Sequence, residues 1–147
     1  MTTSKINLKY SKEVINCFGC GKNNPIGLRL NISWDGENAF TEFTPGNFHT
    51  GFDDVVHGGI LCVLMDEVMS YVPFHQGILT VTGKLDVRFR IPARPGVPLF
   101  ISANMVKSNS KILETQCVIS LKDGTVVAEG NATMWIIEKN GEILINI

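Results

Sequence analysis

The chain has 147 residues, with 13 Lys and Arg against 14 Asp and Glu and a net charge of −1. That is one domain's length, enough for a proper core, and no basic tract singles out nucleic acid or a membrane surface as a main partner. The opening MTTSKINLKYSKEV has no apolar signal segment and no stretch is long enough to span a bilayer, so a cytoplasmic protein is expected.

In chain order, residues 1–16 read as a loose or short helical N-terminal segment, 17–137 as the core of a single domain and 138–147 as a tail. Residues 17–27, CFGCGKNNPIG, are dense in Gly, Asn and Pro and read as a loop. Cys17 and Cys20 form a CxxC. A tetrahedral zinc site needs two more ligands, and no second CxxC or HxxxH is present. A second copy of the chain or His49 would have to supply them. A tight packed turn with no metal is the leading reading. Cys62 and Cys117 lie in apolar stretches and read as small core residues.

A strand is expected over 28–34, with Leu28, Leu30 and Ile32 on one face. Asp35-Gly36 signals a hairpin turn and 39–44 returns as a second strand. Residues 45–56 form a long loop carrying His49, a candidate substrate contact. A helix is expected over 57–72. Pro73 and Gly77 interrupt the pattern, and 78–91 then alternates cleanly, with Leu79, Val81, Gly83, Leu85, Val87, Phe89 and Ile91 on one face. Thr82, Lys84, Asp86, Arg88 and Arg90 share the other face. Three more strands follow, at 98–107, 111–121 and 125–137, and a short edge piece near Asn140-Gly141. No βαβ repetition occurs, so the sheet is expected to be largely antiparallel.

The helix at 57–72 is the centre of the pattern. Ile60, Leu61, Val63, Leu64, Met65, Val68, Met69 and Val72 leave no polar stripe, and a helix apolar all round is a buried one. At about 16 residues it falls short of the roughly 20 that a bilayer span needs. An α+β domain follows, with one long central helix wrapped by a curved sheet of about six strands. Two carboxylates, Asp66 and Glu67, nevertheless sit mid-helix, where burial is costly unless each is satisfied or used. As neighbours they lie about 100° apart around the axis and cannot face the same partner.

Gly58-Gly59 opens the helix behind His57. Glycine is a poor helix former, but without Cβ atoms it lets a ligand approach the free N–H groups of the first turn and the positive end of the helix dipole. An oxygen gaining negative charge in a transition state would be stabilised there. Gly58 and Asp66 are separated by about 12 Å along the axis. One small reacting group cannot touch both, so a shared site needs two copies of the helix about a two-fold axis.

Val56-His57-Gly58-Gly59 followed by Asp66, Asn24-Pro25-Ile26-Gly27-Leu28 ahead of the first strand, and Val81-Thr82-Gly83-Lys84-Leu85-Asp86-Val87 with Pro92 together resemble the hotdog fold, and within it the PaaI-like acyl-CoA thioesterases. The resemblance covers about residues 17–137. It implies that Asp66 is the catalytic carboxylate, as base or nucleophile. Gly58 would offer its N–H to the thioester carbonyl from the partner subunit, His57 would shape that pocket, and Thr82 would hold the attacking water. It implies an acyl-CoA substrate, a homodimer or a tetramer of two dimers, no metal and no cofactor beyond the coenzyme A of the substrate.

Gly59, His49 and Glu67 are the further substrate-contact candidates. Some relatives place an Asn ahead of the HGG to help bind the carbonyl; here His49-Thr50-Gly51 stands there, so that role is empty or passes to His49. If the apolar face of 78–91 packs on its own helix, Thr82 must meet the Asp66 of a second copy or nothing. Lys84, Arg88 and Arg90 form a basic row that either binds coenzyme A phosphates or is an ordinary solvated face. Two other readings stay open: a non-catalytic acyl-CoA-binding domain, and a hydratase or dehydratase using His57 with an acid.

Overall fold

The structure, a computed structural model, describes residues 16–145; the expectation for the N-terminal segment falls almost wholly outside them. The central helix, α1, runs Gly58–Phe74. Leu61, Leu64, Met65, Val68, Met69 and Val72 along it are buried. Burying one such side chain is worth about 1.5–3 kcal/mol, while each opening glycine costs roughly 1 kcal/mol of helix propensity. Packing, not propensity, therefore holds the helix. It runs two residues past the expected end and takes Pro73 into its last turn; His75 N–H bonds back to Tyr71 O at 3.0 Å, and Gly77 (φ 73°) turns the chain away.

The strands are β1 (Ser33–Trp34), β2 (Asn38–Phe43), β3 (Ile78–Phe89), β4 (Leu99–Ser108), β5 (Ile112–Ser120), β6 (Val126–Lys139) and β7 (Glu142–Ile143). All pairings are antiparallel, in the order β1-β2-β4-β5-β6-β3, with β7 folded back on the end of β6. The sheet curls around α1. Leu99, Ile101, Leu113, Ile119, Val127, Met134 and Ile136 meet the helix in one core. β7 follows a turn at Asn140 and Gly141, both at positive φ, where the tail piece was expected.

Two expectations are corrected. The strand expected over 28–34 is regular only at Ser33–Trp34. Leu28 and Leu30 are buried as the alternation predicts. Their N–H groups, however, bond to Phe18 O and Gly19 O, at 2.8 and 2.9 Å, so this stretch pairs with the CxxC turn instead of the sheet. Arg29, at φ 54°, breaks the strand geometry between them.

The second correction concerns β3. Its register against β6 passes from Thr82 opposite Met134 to Lys84 opposite Thr133, so Gly83 is an extra, bulged residue. A one-residue bulge switches the side chains to the other face. Thr80 and Thr82 therefore share the helix-facing side with Leu85 and Val87, while Val81 is 39 % exposed. The clean period of two breaks in the middle of the strand.

Gly130 of β6 packs against Met65 of the helix. A Cβ there would stand 3.0 Å from Asp86 O and 3.2 Å from Met65 Sδ. Gly130→Ala should destabilise by about 1–3 kcal/mol through overpacking, seen as a lower urea midpoint with an unchanged slope.

Candidate active site

Asp66 lies half-buried in the middle of α1. Its Oδ1 accepts a 2.7 Å hydrogen bond from the Thr82 hydroxyl of the same chain. The bulge at Gly83 makes this bond, and it replaces the expected meeting of Thr82 with the Asp66 of a second copy. Among the described residues no Lys, Arg or His pairs with Asp66. Cys62, one turn earlier on the same face, was not foreseen in the site. Its thiol is pushed up from the ordinary value, by burial first and then by the charge of Asp66.

The N-terminus of α1 is built by His57, whose Nδ1 accepts from Gly59 N–H at 2.8 Å. A neutral ring that accepts at Nδ1 carries its proton on Nε2, where it can donate but not accept. Gly59 is therefore engaged, and its own space is filled by the His57 ring. The Gly58 N–H has no hydrogen-bond partner among the described residues. Gly58 lines an apolar groove of about 310 Å³ together with Val55, Leu61, Phe89, Ile91 and Pro92, with Arg90 at its side. A Cβ on Gly58 would come within 3.3 Å of Phe89 Cζ. Phe89, on the apolar face read from the sequence, was not marked there as part of any site.

His49 ends a short 3₁₀ turn, Asn47–His49, beside the HGG. Its carbonyl accepts from His57 N–H at 2.8 Å and its Nδ1 accepts from Gly46 N–H at 2.9 Å. Its ring leans on Phe43. It shapes the loop under His57 and is not beside Cys17 and Cys20. In the basic row, Lys84 pairs with Asp86 at 3.0 Å and Arg90 with Glu129.

Glu67 turns the other way from Asp66, as the 100° step requires. Cys17 Sγ lies 3.4 Å from both its carboxylate oxygens. Cys20 stands beside Glu67, their ligand atoms within 4.8 Å, and its thiol is pushed up to about 12, first by burial and then by Glu67. Tyr71, one turn beyond Glu67, is likewise pushed up by burial and by Cys20. The structure thus separates the sequence candidates into three groups: Asp66 with Thr82, Gly58 and Gly59 with His57 and His49, and Glu67 with the CxxC turn.

One helix wrapped by a curled antiparallel sheet is the hotdog fold, and known proteins agree. A structure of a hypothetical thioesterase from Streptococcus pneumoniae TIGR4 with coenzyme A superposes with a TM-score of 0.71 at 18% identity, covering 75% of this chain and 87% of that one. A Streptococcus mutans UA159 protein bound to acetyl CoA gives 0.71 at 17% identity, with 75% and 90% covered. The PaaI protein of E. coli, from the phenylacetic acid degradation operon, gives 0.71 at 22% identity, with 76% and 82% covered. No curated protein matches the chain in sequence. A family model, described as the Thioesterase superfamily, matches residues 53–128. The chain belongs to that superfamily.

The Cys62 environment gives a direct check on the placement of Asp66. Asp66→Asn removes the neighbouring negative charge, so the raised thiol should titrate at lower pH. Alkylation of Cys62 by iodoacetamide, followed by peptide mass mapping, should then speed up at a fixed mildly alkaline pH. An unchanged rate would separate the two side chains.

Proposed function

We propose that the protein is an acyl-CoA thioesterase, hydrolysing an acyl-coenzyme A thioester to the free acid and coenzyme A. The hydrogen bond between Thr82 and Asp66 carries this reading. It holds, in the middle of a largely apolar helix, a carboxylate that no cation among the described residues neutralises. Membership of the superfamily supports the reading, and so do the coenzyme A and acetyl CoA bound in two of the similar structures.

In this mechanism Thr82 donates to Oδ1 and orients the carboxylate, and its oxygen helps to hold a water. Oδ2 of Asp66 takes the proton as the water attacks the thioester carbon. The developing oxyanion is met by the free N–H of Gly58 at the positive end of the helix. The thiolate of coenzyme A leaves without needing much acid assistance, and no metal or further cofactor takes part. His57, fixed by Gly59, keeps the turn in shape. With its proton on Nε2 it is poorly suited as the base that a hydratase needs.

Since Gly58 and Asp66 of one helix are about 12 Å apart, the active unit is a homodimer that pairs Asp66 of one copy with Gly58 of the partner subunit. β3 supports that arrangement. It is a 12-residue strand at the edge of the sheet, and Val81 and Phe89 along it are 39% and 51% exposed. A long uncovered edge is a template for another strand. Thr82 on that strand would bring Asp66 and its hydroxyl donor to the seam.

Asp66→Asn should lower thiol release from acyl-CoA substrates by roughly 10²–10⁴-fold with the fold intact. Thr82→Val, which keeps the shape and loses one charge-assisted hydrogen bond, should cost about tenfold. A panel of short, medium, long and aromatic acyl-CoAs reads both. Undiminished turnover in Asp66→Asn would refute the role of Asp66. Absent turnover on every substrate, with tight acyl-CoA binding, would make the protein a binding domain.

Gly58→Pro tests the other half of the site. Proline suits the first helical position and removes only an N–H, and the half-exposed Phe89 ring can move aside. Loss of about 10²–10³-fold in kcat is expected if that N–H meets the oxyanion.

A further inference from the structure

We propose that Cys17, Cys20 and Glu67 form a zinc site that clamps the CxxC turn to the central helix. This does not rest on the thioesterase reading. The ligand atoms of the three residues lie within 4.8 Å of one another. A tetrahedral ion with metal–sulfur and metal–oxygen bonds of about 2.3 and 2.1 Å would put sulfur and oxygen about 3.6 Å apart. Cys17 Sγ already lies 3.4 Å from Glu67 Oε1 and from Oε2. The ions fitting a donor set of two thiolates and one carboxylate are led by zinc. Three protein ligands leave the fourth position to water.

Two features of the turn point the same way. Gly19 N–H donates to Cys17 Sγ at 3.3 Å, the backbone-to-sulfur bond that favours a thiolate. Gly19 also has no room for a side chain: a Cβ would lie 2.5 Å from the Glu67 carboxyl carbon. The turn is thus shaped to bring the carboxylate over the two sulfurs. Around Glu67 the charge is one-sided. Among the described residues no Lys, Arg or His pairs with it, although its oxygens are half-buried against two groups that can only add negative charge. A divalent cation supplies what is missing, and the two thiol protons leave when it binds.

The clamp has a structural consequence. The CxxC turn accepts backbone hydrogen bonds from Leu28 and Leu30. Through Glu67 the ion would join that lead-in to the helix that carries Asp66 on its neighbouring face.

The test is elemental analysis of the purified, reduced full chain expressed with zinc in the medium. About one zinc per chain is expected. Cys17→Ser and Cys20→Ser should abolish it. Glu67→Gln, which preserves the shape, should weaken zinc affinity roughly tenfold or more against a chromogenic chelator. Cobalt exchanged into the wild-type chain should show thiolate-to-cobalt charge transfer, a signature independent of activity and of variant folding. Asp66→Asn should keep its zinc, which separates this site from the catalytic one. A folded, reduced wild-type chain that carries no zinc and takes up none on titration with zinc chloride would overturn the proposal. Zinc retained in full by all three ligand variants would overturn it as well.

Discussion

A helix without a polar face has to be enclosed, and the rest of the structure follows from enclosing α1. The strands that flank it in sequence are too short on one side to do so, hence the four long strands that follow and the curl of the sheet. The cost of the design is that any polar group on the helix must find its partner inside the wrap. Asp66 and Glu67 each do, on different sides. Asp66 finds a hydroxyl on β3, and Glu67 finds two sulfurs on the turn that precedes β1. The angular step between adjacent helical residues assigns the neighbours to different chemistry.

The bulge at Gly83 is the small irregularity on which the catalytic reading depends. Without it, the parity that buries Leu85 and Val87 would turn Thr82 outward, and Asp66 would face an apolar strand with an unsatisfied carboxylate. With it, a strand that is apolar over one half of its inner face becomes hydroxyl-bearing over the other. Bulges near functional sites commonly re-aim a side chain in this way. The same strand lies at the sheet edge, so the polar half of its inner face sits where a second subunit can reach.

Most of the fold was legible because its signals are periodic. The apolar run of α1 and the alternation in β3 to β6 give element type and order, and the observed ends of α1 and β3 to β6 differ from the expected ones by no more than two residues. What stayed hidden was aperiodic. Nothing in the alternation at 78–91 marks a bulge, and Gly83 reads equally well as an inward strand residue. The extended stretch at 28–32 looks like a strand because its burial alternates, yet its hydrogen bonds go to a turn. Asp66 and Gly58 could be named from residue type and spacing, and Thr82 only through the family resemblance. The partnership of Glu67 with Cys17 and Cys20 could not, since fifty residues separate them and only the fold brings them together. Cys62 could have been found from its i, i+4 spacing to Asp66.

The central claim is that each active site is built from two chains, and hybrid dimers test it most directly. Asp66→Asn and Gly58→Pro chains, carrying different affinity tags and co-expressed, yield hybrids that can be isolated through both tags. In such a hybrid one site holds both lesions and the other holds neither. The account predicts that isolated hybrids recover about half the thiol release of the wild-type dimer, although each variant alone is nearly inactive. Hybrids as inactive as their parents would contradict it, and would place Asp66 and Gly58 in the service of one chain's own site.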